Sequence, residues 1–240
     1  MRRFMLALLF GLLAPQPALA QNLVVLESTL PNYALGTEVS ADAALNLPDK
    51  SRLVLVTEDG RSVVLAGPYQ GNAKSKLGAG GGGNKAFSTA LASLVRSAQE
   101  ETSSVGAVRA AGIGTHDEAL MVNLSESGDY CVADPAKLMM TRYKHETGPK
   151  LSITVVADSS EVQIAWPSGT DRTAWPAAAK FDDGAKFIVS QDGKDSRTLI
   201  TLVKVSGSYP TLAHEAVEMA NAGCAEQARM LLALMRRQAK

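Results

Sequence analysis

The alternation of apolar and polar residues predicts that the chain is built mainly from β-strands. The clearest pattern lies in residues 52–66, where two runs rich in Val and Leu flank an Asp-Gly turn at residues 58–61. Two such runs around Asp-Gly are a strong hairpin signal. Gly67-Pro68 should end the second strand, because proline has no N–H to donate to a neighbouring strand. We therefore expect a small β domain over residues 21–69.

A second β-rich region begins near residue 117. Turn residues recur there at intervals of about 8–12 residues, a spacing that is typical of a β-sandwich or barrel. This pattern predicts strands at residues 119–124, 129–132, 137–143, 150–156, 161–166, 186–190 and 196–205.

Apolar residues at helical spacing predict three helices. One covers residues 84–98 and has Asn84 as its N-cap. The other two form a C-terminal pair, in which Thr211 caps a helix to about residue 220 and a glycine break precedes a helix over residues 224–237. The expected fold is therefore mainly β with α (α+β): a small N-terminal β domain, then a β-sandwich-like domain over residues 117–240 that ends in a helical hairpin.

Residues 78–85, with the sequence GAGGGGNK, resemble a phosphate-binding loop but lack its order of residues. Such a loop has glycine directly before the lysine and a hydroxyl residue directly after it, whereas Asn84 precedes Lys85 here and Ala86 follows it. We interpret residues 70–116 as a Gly-rich linker that contains the short helix, and we expect no nucleotide or other cofactor.

The first twenty residues have the three parts of a secretory signal peptide. Arg2 and Arg3 form a basic start, residues 5–14 form an apolar segment, and the small residues Ala18 and Ala20 form a small-x-small cleavage signal. We expect residues 1–20 to be removed after Ala20 from a protein exported to a bacterial periplasm. No later apolar run is long enough to span a bilayer, so no membrane span is expected after cleavage.

Charge and cysteine content narrow the possible functions. The chain has 24 Lys and Arg residues and 24 Asp and Glu residues, so it lacks the basic excess that is typical of nucleic-acid-binding proteins. We expect its two cysteines, Cys131 and Cys224, to form a disulfide in an oxidising compartment. Two buried free thiols are the alternative.

The sequence has no complete catalytic or metal-binding motif. His214 and Glu215 begin like the zinc helix His-Glu-x-x-His, but Glu218 stands where the second histidine should be. Residues 116–118 present His, Asp and Glu consecutively, and consecutive residues cannot all face one metal. The Gly-x-Ser-x-Gly motif of serine hydrolases is absent. We interpret both segments as solvated, and we expect no metal, no catalytic residue and no enzyme.

Two Trp-Pro pairs stand nine residues apart, at Trp166 and Trp175. If both indoles were exposed on one face, they would form a stacking platform for a glycan. If they were buried, they would complete the core at the ends of strands, and this interpretation is favoured because tryptophan is usually buried. Trp166 and Trp175 remain possible ligand-binding residues.

Several segments resemble those of exported bacterial proteins. Residues 51–69, which contain LVLVTEDGRSVVL, are similar to the small β repeats of FecR-like periplasmic domains. The series ETSSVGAVR (101–109), GDYCV (128–132), the two AWP segments (165–167, 174–176) and AGC (222–224) resembles a group of uncharacterised exported proteins of proteobacteria. The resemblance implies a cysteine pair, two β-rich parts and no catalytic residue. By analogy, it implies a FecR-like role in envelope signalling.

These features predict a non-catalytic accessory or interaction module of the cell envelope. Its partner would be an envelope protein or another periplasmic ligand, and not a nucleic acid. One alternative is a carbohydrate or peptidoglycan binder that uses Trp166 and Trp175. Another is a hydrolase whose site is assembled from distant residues, which a pocket gathering His145 or His214 with an acid and a hydroxyl would favour.

Overall fold

The computed structural model describes residues 21–77, 84–104, 115–142, 150–191 and 197–239 of the 240-residue chain. The predicted signal peptide and His145 lie outside these residues, as does most of the glycine run. The described part is a mixed α+β fold with several sheets and a C-terminal helical pair. The predicted fold class is therefore confirmed.

The N-terminal part folds into two small antiparallel sheets. The first has four strands in the order 2-1-4-5: β1 (Asn22–Ser28), β2 (Glu38–Ser40), β4 (Arg52–Thr57) and β5 (Ser62–Ala66). The second pairs β3 (Ala44–Leu47) with β6 (Tyr69–Asn72). The predicted hairpin is confirmed as β4 and β5, and β5 ends directly before Gly67.

Both faces of the four-stranded sheet are buried at its central strands, β1 and β4. Val24 and Val54 on one face pack with the helices, whereas Leu23 and Leu55 on the other face pack with the two-stranded sheet. Strands that are buried on both faces have continuous apolar runs instead of alternation. This explains the uninterrupted apolar stretches in the middle of β1 and β4.

Three long helices cover the first of these faces: α2 (Lys85–Ser104), α4 (Leu212–Asn221) and α5 (Ala225–Gln238). The predicted N-caps are confirmed, because Asn84 Oδ1 accepts a hydrogen bond from Ala86 N at 3.0 Å and Thr211 Oγ1 accepts one from His214 N at 3.4 Å. Helix α2 is longer than predicted. Its last residues are polar, so they show no apolar periodicity, although Glu and Gln favour helices.

Two elements lie inside the predicted linker. Strand β6 reaches Asn72, and the single helical turn α1 (Lys74–Leu77) follows it. Ala73 and Leu77 are buried in the core beneath the four-stranded sheet. Because this segment is mostly polar, its pattern does not indicate that Ala73 and Leu77 are buried. The division of the chain into a β domain and a linker at residue 69 stays a prediction.

The C-terminal part has two sheets that share one core, which includes Met140 and Phe187. The larger sheet has the order 11-10-13-14-8: β8 (Gly128–Val132), β10 (Leu151–Val155), β11 (Glu161–Ile164), β13 (Ala185–Gln191) and β14 (Arg197–Lys204). The smaller has the order 12-9-7: β7 (Val122–Asn123), β9 (Met139–Thr141) and β12 (Arg172–Ala174).

Each predicted strand of this part overlaps an observed one, but the first begins too early. Residue 119 belongs to a short helix, α3 (His116–Ala119). Thr115 and Glu118 form a capping box, in which each side chain accepts a hydrogen bond from the backbone N–H of the other. The Thr-x-x-Glu spacing that starts such a helix is visible in the sequence.

Strand β8 belongs to two cores at once. Tyr130 and Val132 face the core between the C-terminal sheets, whereas Cys131 faces the helices. The predicted disulfide between Cys131 and Cys224 is confirmed, with the two Cα atoms 5.7 Å apart. It joins the edge of the sheet to the start of α5. Closing a loop of 93 residues contributes about 4–5 kcal/mol in the chain-entropy description.

The buried side chain of Gln227, on α5, completes this connection. Its Oε1 accepts a hydrogen bond from Cys131 N at 2.6 Å, and its Nε2 donates to Cys131 O at 3.2 Å and to Leu120 O at 2.9 Å. Gln227 is 0% exposed. The side chain therefore satisfies backbone groups that a further strand would satisfy in a longer sheet.

Replacing Gln227 with alanine is expected to destabilise the protein by at least about 2 kcal/mol, because it leaves the two buried backbone groups of Cys131 and the partly buried carbonyl of Leu120 without this partner. The free energy of unfolding in urea measures this loss. Gln238→Ala, at an exposed position of the same helix, is the control and should change it little. Equal stability of the two variants would contradict the assigned role of Gln227.

Candidate functional site

A groove of about 610 Å³ lies between helix α4 and the segment that follows β14. We call it the α4 groove. One wall comes from residues 205–210 and the other from α4 and its C-terminal end. The residues that line it are Val205, Ser206, Tyr209, Pro210, His214, Glu218, Asn221 and Ala222.

The helical repeat of α4 places its groove residues on one face. His214, Glu218 and Asn221 are four and three residues apart, so they lie on successive turns. Ala213, Ala216 and the rest of the opposite face are buried against the other helices. The amphipathic sequence of α4 therefore buries one side and presents the other to the groove.

Several polar groups of the α4 groove make no side-chain hydrogen bond with any described residue. These are the Tyr209 hydroxyl, the Nε2 atom of His214 and the side chains of Ser206, Glu218 and Asn221. Ser206, Glu218 and Asn221 are exposed, whereas Tyr209 and His214 are partly buried. The groove thus offers donors and acceptors to a ligand.

The ring of His214 is held by two contacts. Its Nδ1 lies 2.9 Å from Thr211 Oγ1. The ring also stacks on Phe87 of α2, with the centroids 4.2 Å apart and the planes 18° from parallel. These contacts fix the imidazole at the groove wall by its Nδ1 edge and one ring face.

Behind this wall, the carboxylate of Glu215 contacts a second histidine. His116 Nε2 lies 2.6 Å from Glu215 Oε2, and Glu215 is 7% exposed. The interpretation that the segments at residues 116–118 and 214–218 are solvated is therefore wrong for Glu215. Its position on the inner side of α4 buries it, and His116 of α3 supplies the partner that a buried carboxylate requires.

The pKa of Tyr209 reflects the negative charge around the groove. Burial raises the pKa of the Tyr209 hydroxyl above its ordinary value of 10.0, and the negative charges of Glu215 and Glu218 raise it further. A nearby negative charge opposes the formation of a phenolate. No lysine or arginine lines the groove in the described part of the chain, so its potential favours a positively charged group.

The α4 groove brings together residue types that a hydrolase needs, but without their contacts. His214 shares it with Glu218 and the hydroxyl of Ser206, which is the gathering that would favour a hydrolase. A nucleophile and its base must be within hydrogen-bond reach, and Ser206 makes no hydrogen bond to His214. Within the described residues, no three or more His, Cys, Asp or Glu side chains are grouped so that they could hold a metal ion.

The two tryptophans lie elsewhere, at the edge of the C-terminal core. Each indole N–H donates to a backbone carbonyl four residues later, Trp166 to Thr170 and Trp175 to Ala179, both at 2.8 Å. Both side chains pack against the core between the sheets. Their N–H groups are therefore used inside the protein.

Each tryptophan ring also contacts a neighbouring side chain. The guanidinium of Arg142 lies 4.5 Å from the ring centre of Trp166. Trp175 and Phe187 make a T-shaped contact, with the centroids 5.1 Å apart. These contacts are typical of tryptophans that close loops over a core.

Comparison of the chain with protein-family models, with curated proteins and with solved structures finds no match in any of the three. The resemblances to FecR-like domains and to exported proteobacterial proteins therefore stay predictions. Among the helices of the described residues, none has both the length and the apolar character to cross a membrane.

Sequence reasoning missed Tyr209 and Asn221 as candidate site residues. Tyr209 precedes a proline and the Thr211 cap, so it resembles an ordinary turn residue. The four-residue spacing of His214 and Glu218 was the available signal for a shared face. The opposite wall, which comes from the segment after β14, has no local signal.

Replacing Glu218 with glutamine is expected to lower the pKa of Tyr209 towards its ordinary value, because one of the negative charges that raise it is removed. A pH titration of ¹³Cζ-labelled tyrosine by NMR measures this, with Tyr209→Phe to assign the signal. Glu161→Gln, on the outer strand β11, is the control and should leave the pKa unchanged. An unchanged pKa in Glu218→Gln would place the carboxylate away from Tyr209.

Proposed function

We propose that the protein is a non-catalytic interaction module of the bacterial periplasm, and that its α4 groove binds a positively charged group of an envelope protein or another periplasmic ligand. The observation that carries this proposal is the set of unpaired polar groups around one negatively charged groove. The proposed partner is a protein or ligand that presents an amine or a guanidinium, and not a nucleic acid.

The groove offers complementary contacts to such a group. The Glu218 carboxylate can pair with the cation, and the ring of Tyr209 can contact it through a cation–π interaction. The amide of Asn221 and the Nε2 atom of His214 can orient the neighbouring polar atoms of the ligand. A hydrogen bond to a charged group contributes about 1.5–3 kcal/mol, so one contact changes affinity by about tenfold or more.

The periplasmic location is supported by two features of the chain. The first twenty residues have the pattern of an export signal that is cleaved after Ala20. The disulfide between Cys131 and Cys224 is of a kind that persists in oxidising compartments. By analogy with FecR-like domains, we also propose a role in envelope signalling.

Binding of short peptides tests the proposal directly. We expect isothermal titration calorimetry to detect a Lys- or Arg-containing peptide, and to detect no binding of the same peptide with Glu in that position. Glu218→Gln should weaken binding by about tenfold or more, and the affinity should fall with added salt because a charge pair is screened.

The controls for this experiment separate the groove from the rest of the surface. Glu161→Gln removes an exposed acid from β11 and should leave the affinity unchanged. The proposal fails if no cationic peptide binds, or if both acid variants bind equally well. Photo-crosslinking from position 221 in the native periplasm then identifies the natural partner.

A hydrolase is the second candidate, because the α4 groove gathers His214, Glu218 and Ser206. A panel of ester and peptide substrates tests it. Turnover that is lost in both Ser206→Ala and His214→Gln would replace the binding proposal, whereas turnover that is absent or unaffected by these changes would leave it in place.

A carbohydrate or peptidoglycan binder that uses Trp166 and Trp175 is the remaining alternative. The indole N–H groups of both tryptophans already donate to backbone carbonyls, so a glycan would have to stack on the exposed ring surfaces alone. Sedimentation with insoluble peptidoglycan, compared between the native protein and Trp166→Leu, distinguishes this alternative from binding in the groove.

A further inference from the structure

Strand β5 forms an edge of the four-stranded sheet, and within the described residues it pairs with β4 alone. Gly67 N donates to Ser51 O and Thr57 N donates to Arg61 O, both at 2.9 Å. These bonds fix which residues face β4, because hydrogen-bonded positions alternate along an antiparallel pair. The backbone N–H and C=O groups that point away from β4 therefore belong to the alternate residues Ser62, Val64 and Ala66.

Within the described strand, this edge has no charged residue, proline or bulge that would prevent pairing with another strand. Natural edge strands are protected by charged residues, proline or bulges. Strand β5 has the sequence SVVLA, and its register with β4 is continuous. By contrast, β2 at the opposite edge has three residues and begins with Glu38. An unprotected edge of this kind indicates a strand that is covered by a partner.

The side chain of Val64 lies at an uncovered end of the helix-facing surface. Val64 stands opposite Val54, which the helices bury, but Val64 itself is 42% exposed. A groove of about 390 Å³ separates it from the ends of α4 and α5, where Leu212 and Met235 form part of the wall. The exposed backbone edge is therefore continuous with a partly apolar surface.

We propose that a second copy of this chain covers the edge, with the two β5 strands antiparallel about a two-fold axis at Val64. In this register Val64 faces Val64 of the copy, and Ser62 faces Ala66. All outward backbone groups of the strand then find a partner, because the outward residues are spaced symmetrically around Val64. The result is one sheet that continues through both copies.

Charge supports the second copy as the occupant. Arg61, the charged residue next to the strand, meets the uncharged Gly67 of the copy in this register, so no like charges are opposed. Arg61 is already paired with Asp59 at 2.9 Å. An extended segment of another protein would satisfy the same backbone groups. A second copy also satisfies them, because the outward residues of β5 are spaced symmetrically around Val64 and therefore pair with themselves across a two-fold axis.

The two-fold axis also accounts for the groove. An axis perpendicular to the sheet keeps the helices of both copies on the same side, so the two grooves face each other across the joined edge. The Val64 side chains lie side by side between them, where they lose their exposed apolar surface. Such edge-to-edge addition is a common mode of strand recognition.

Sedimentation of the exported protein over a dilution series tests the proposal. We expect a dimer, and Val64→Lys should raise its dissociation constant by at least about tenfold, because lysine on an edge strand blocks pairing. Leu199→Lys is the matched control. Leu199 is 45% exposed but lies on β14, which has neighbours on both sides, so the dimer should persist.

Cysteine crosslinking provides a second readout with a smaller change of side chain. Both native cysteines are in the disulfide, so Val64→Cys introduces a single free thiol. Opposed Cα atoms in a hydrogen-bonded pair are about 5.5 Å apart, which suits a disulfide. Mild oxidation should therefore link Val64→Cys into a covalent dimer and form no covalent link between copies of Leu199→Cys.

Three results would overturn the proposal. The first is a monomer at every concentration, without crosslinking of Val64→Cys. The second is a dimer that Val64→Lys leaves intact, which would place the interface elsewhere. The third is a monomer that binds an added extended peptide and loses it in Val64→Lys, which would assign the edge to another protein. None of these depends on the ligand of the α4 groove.

Discussion

The contact between helix α5 and the edge strand β8 is the interaction on which the rest of the structure depends. Gln227 pairs with both backbone groups of Cys131, and the disulfide to Cys224 fixes the same position covalently. Because α5 and α4 also pack on the four-stranded sheet, this contact joins the helix layer to both β-rich parts. The α4 groove has one wall on α4 and the other on the segment after β14, so its shape depends on the same connection.

The sequence predicted those elements whose signals are local. The β4–β5 hairpin, the caps at Asn84 and Thr211 and the cysteine pair each follow from a few neighbouring residues or from a residue count. The placement of the helical pair on the N-terminal sheet has no local signal, because it depends on contacts such as Arg236 Nε with Leu26 O, 210 residues apart. Short strands such as β6 were missed because their residues are mostly polar and their pairing partner is distant in the chain.

The candidate site was harder to predict than the fold, for a physical reason. Tyr209 and Glu218 are common surface residue types, and only the fold partly buries Tyr209 and brings it near Glu215 and Glu218, which together raise its pKa. The contact between His116 and Glu215 likewise joins two segments that each resembled an incomplete metal motif. Neither segment supplies a ligand set alone, and together they place the partly exposed His116 against the buried carboxylate of Glu215.

Hydrogen exchange of the Cys131 amide, followed by NMR, tests the central role of the β8–α5 contact most directly. Cys131 lies on an edge strand, and its N–H bonds to the side chain of Gln227 and not to a neighbouring strand. If the contact holds the fold together, this amide exchanges as slowly as the amides in the middle of β4, and Gln227→Ala abolishes the protection. Rapid exchange of Cys131 in the native protein, at the rate of an open strand edge, would contradict this account.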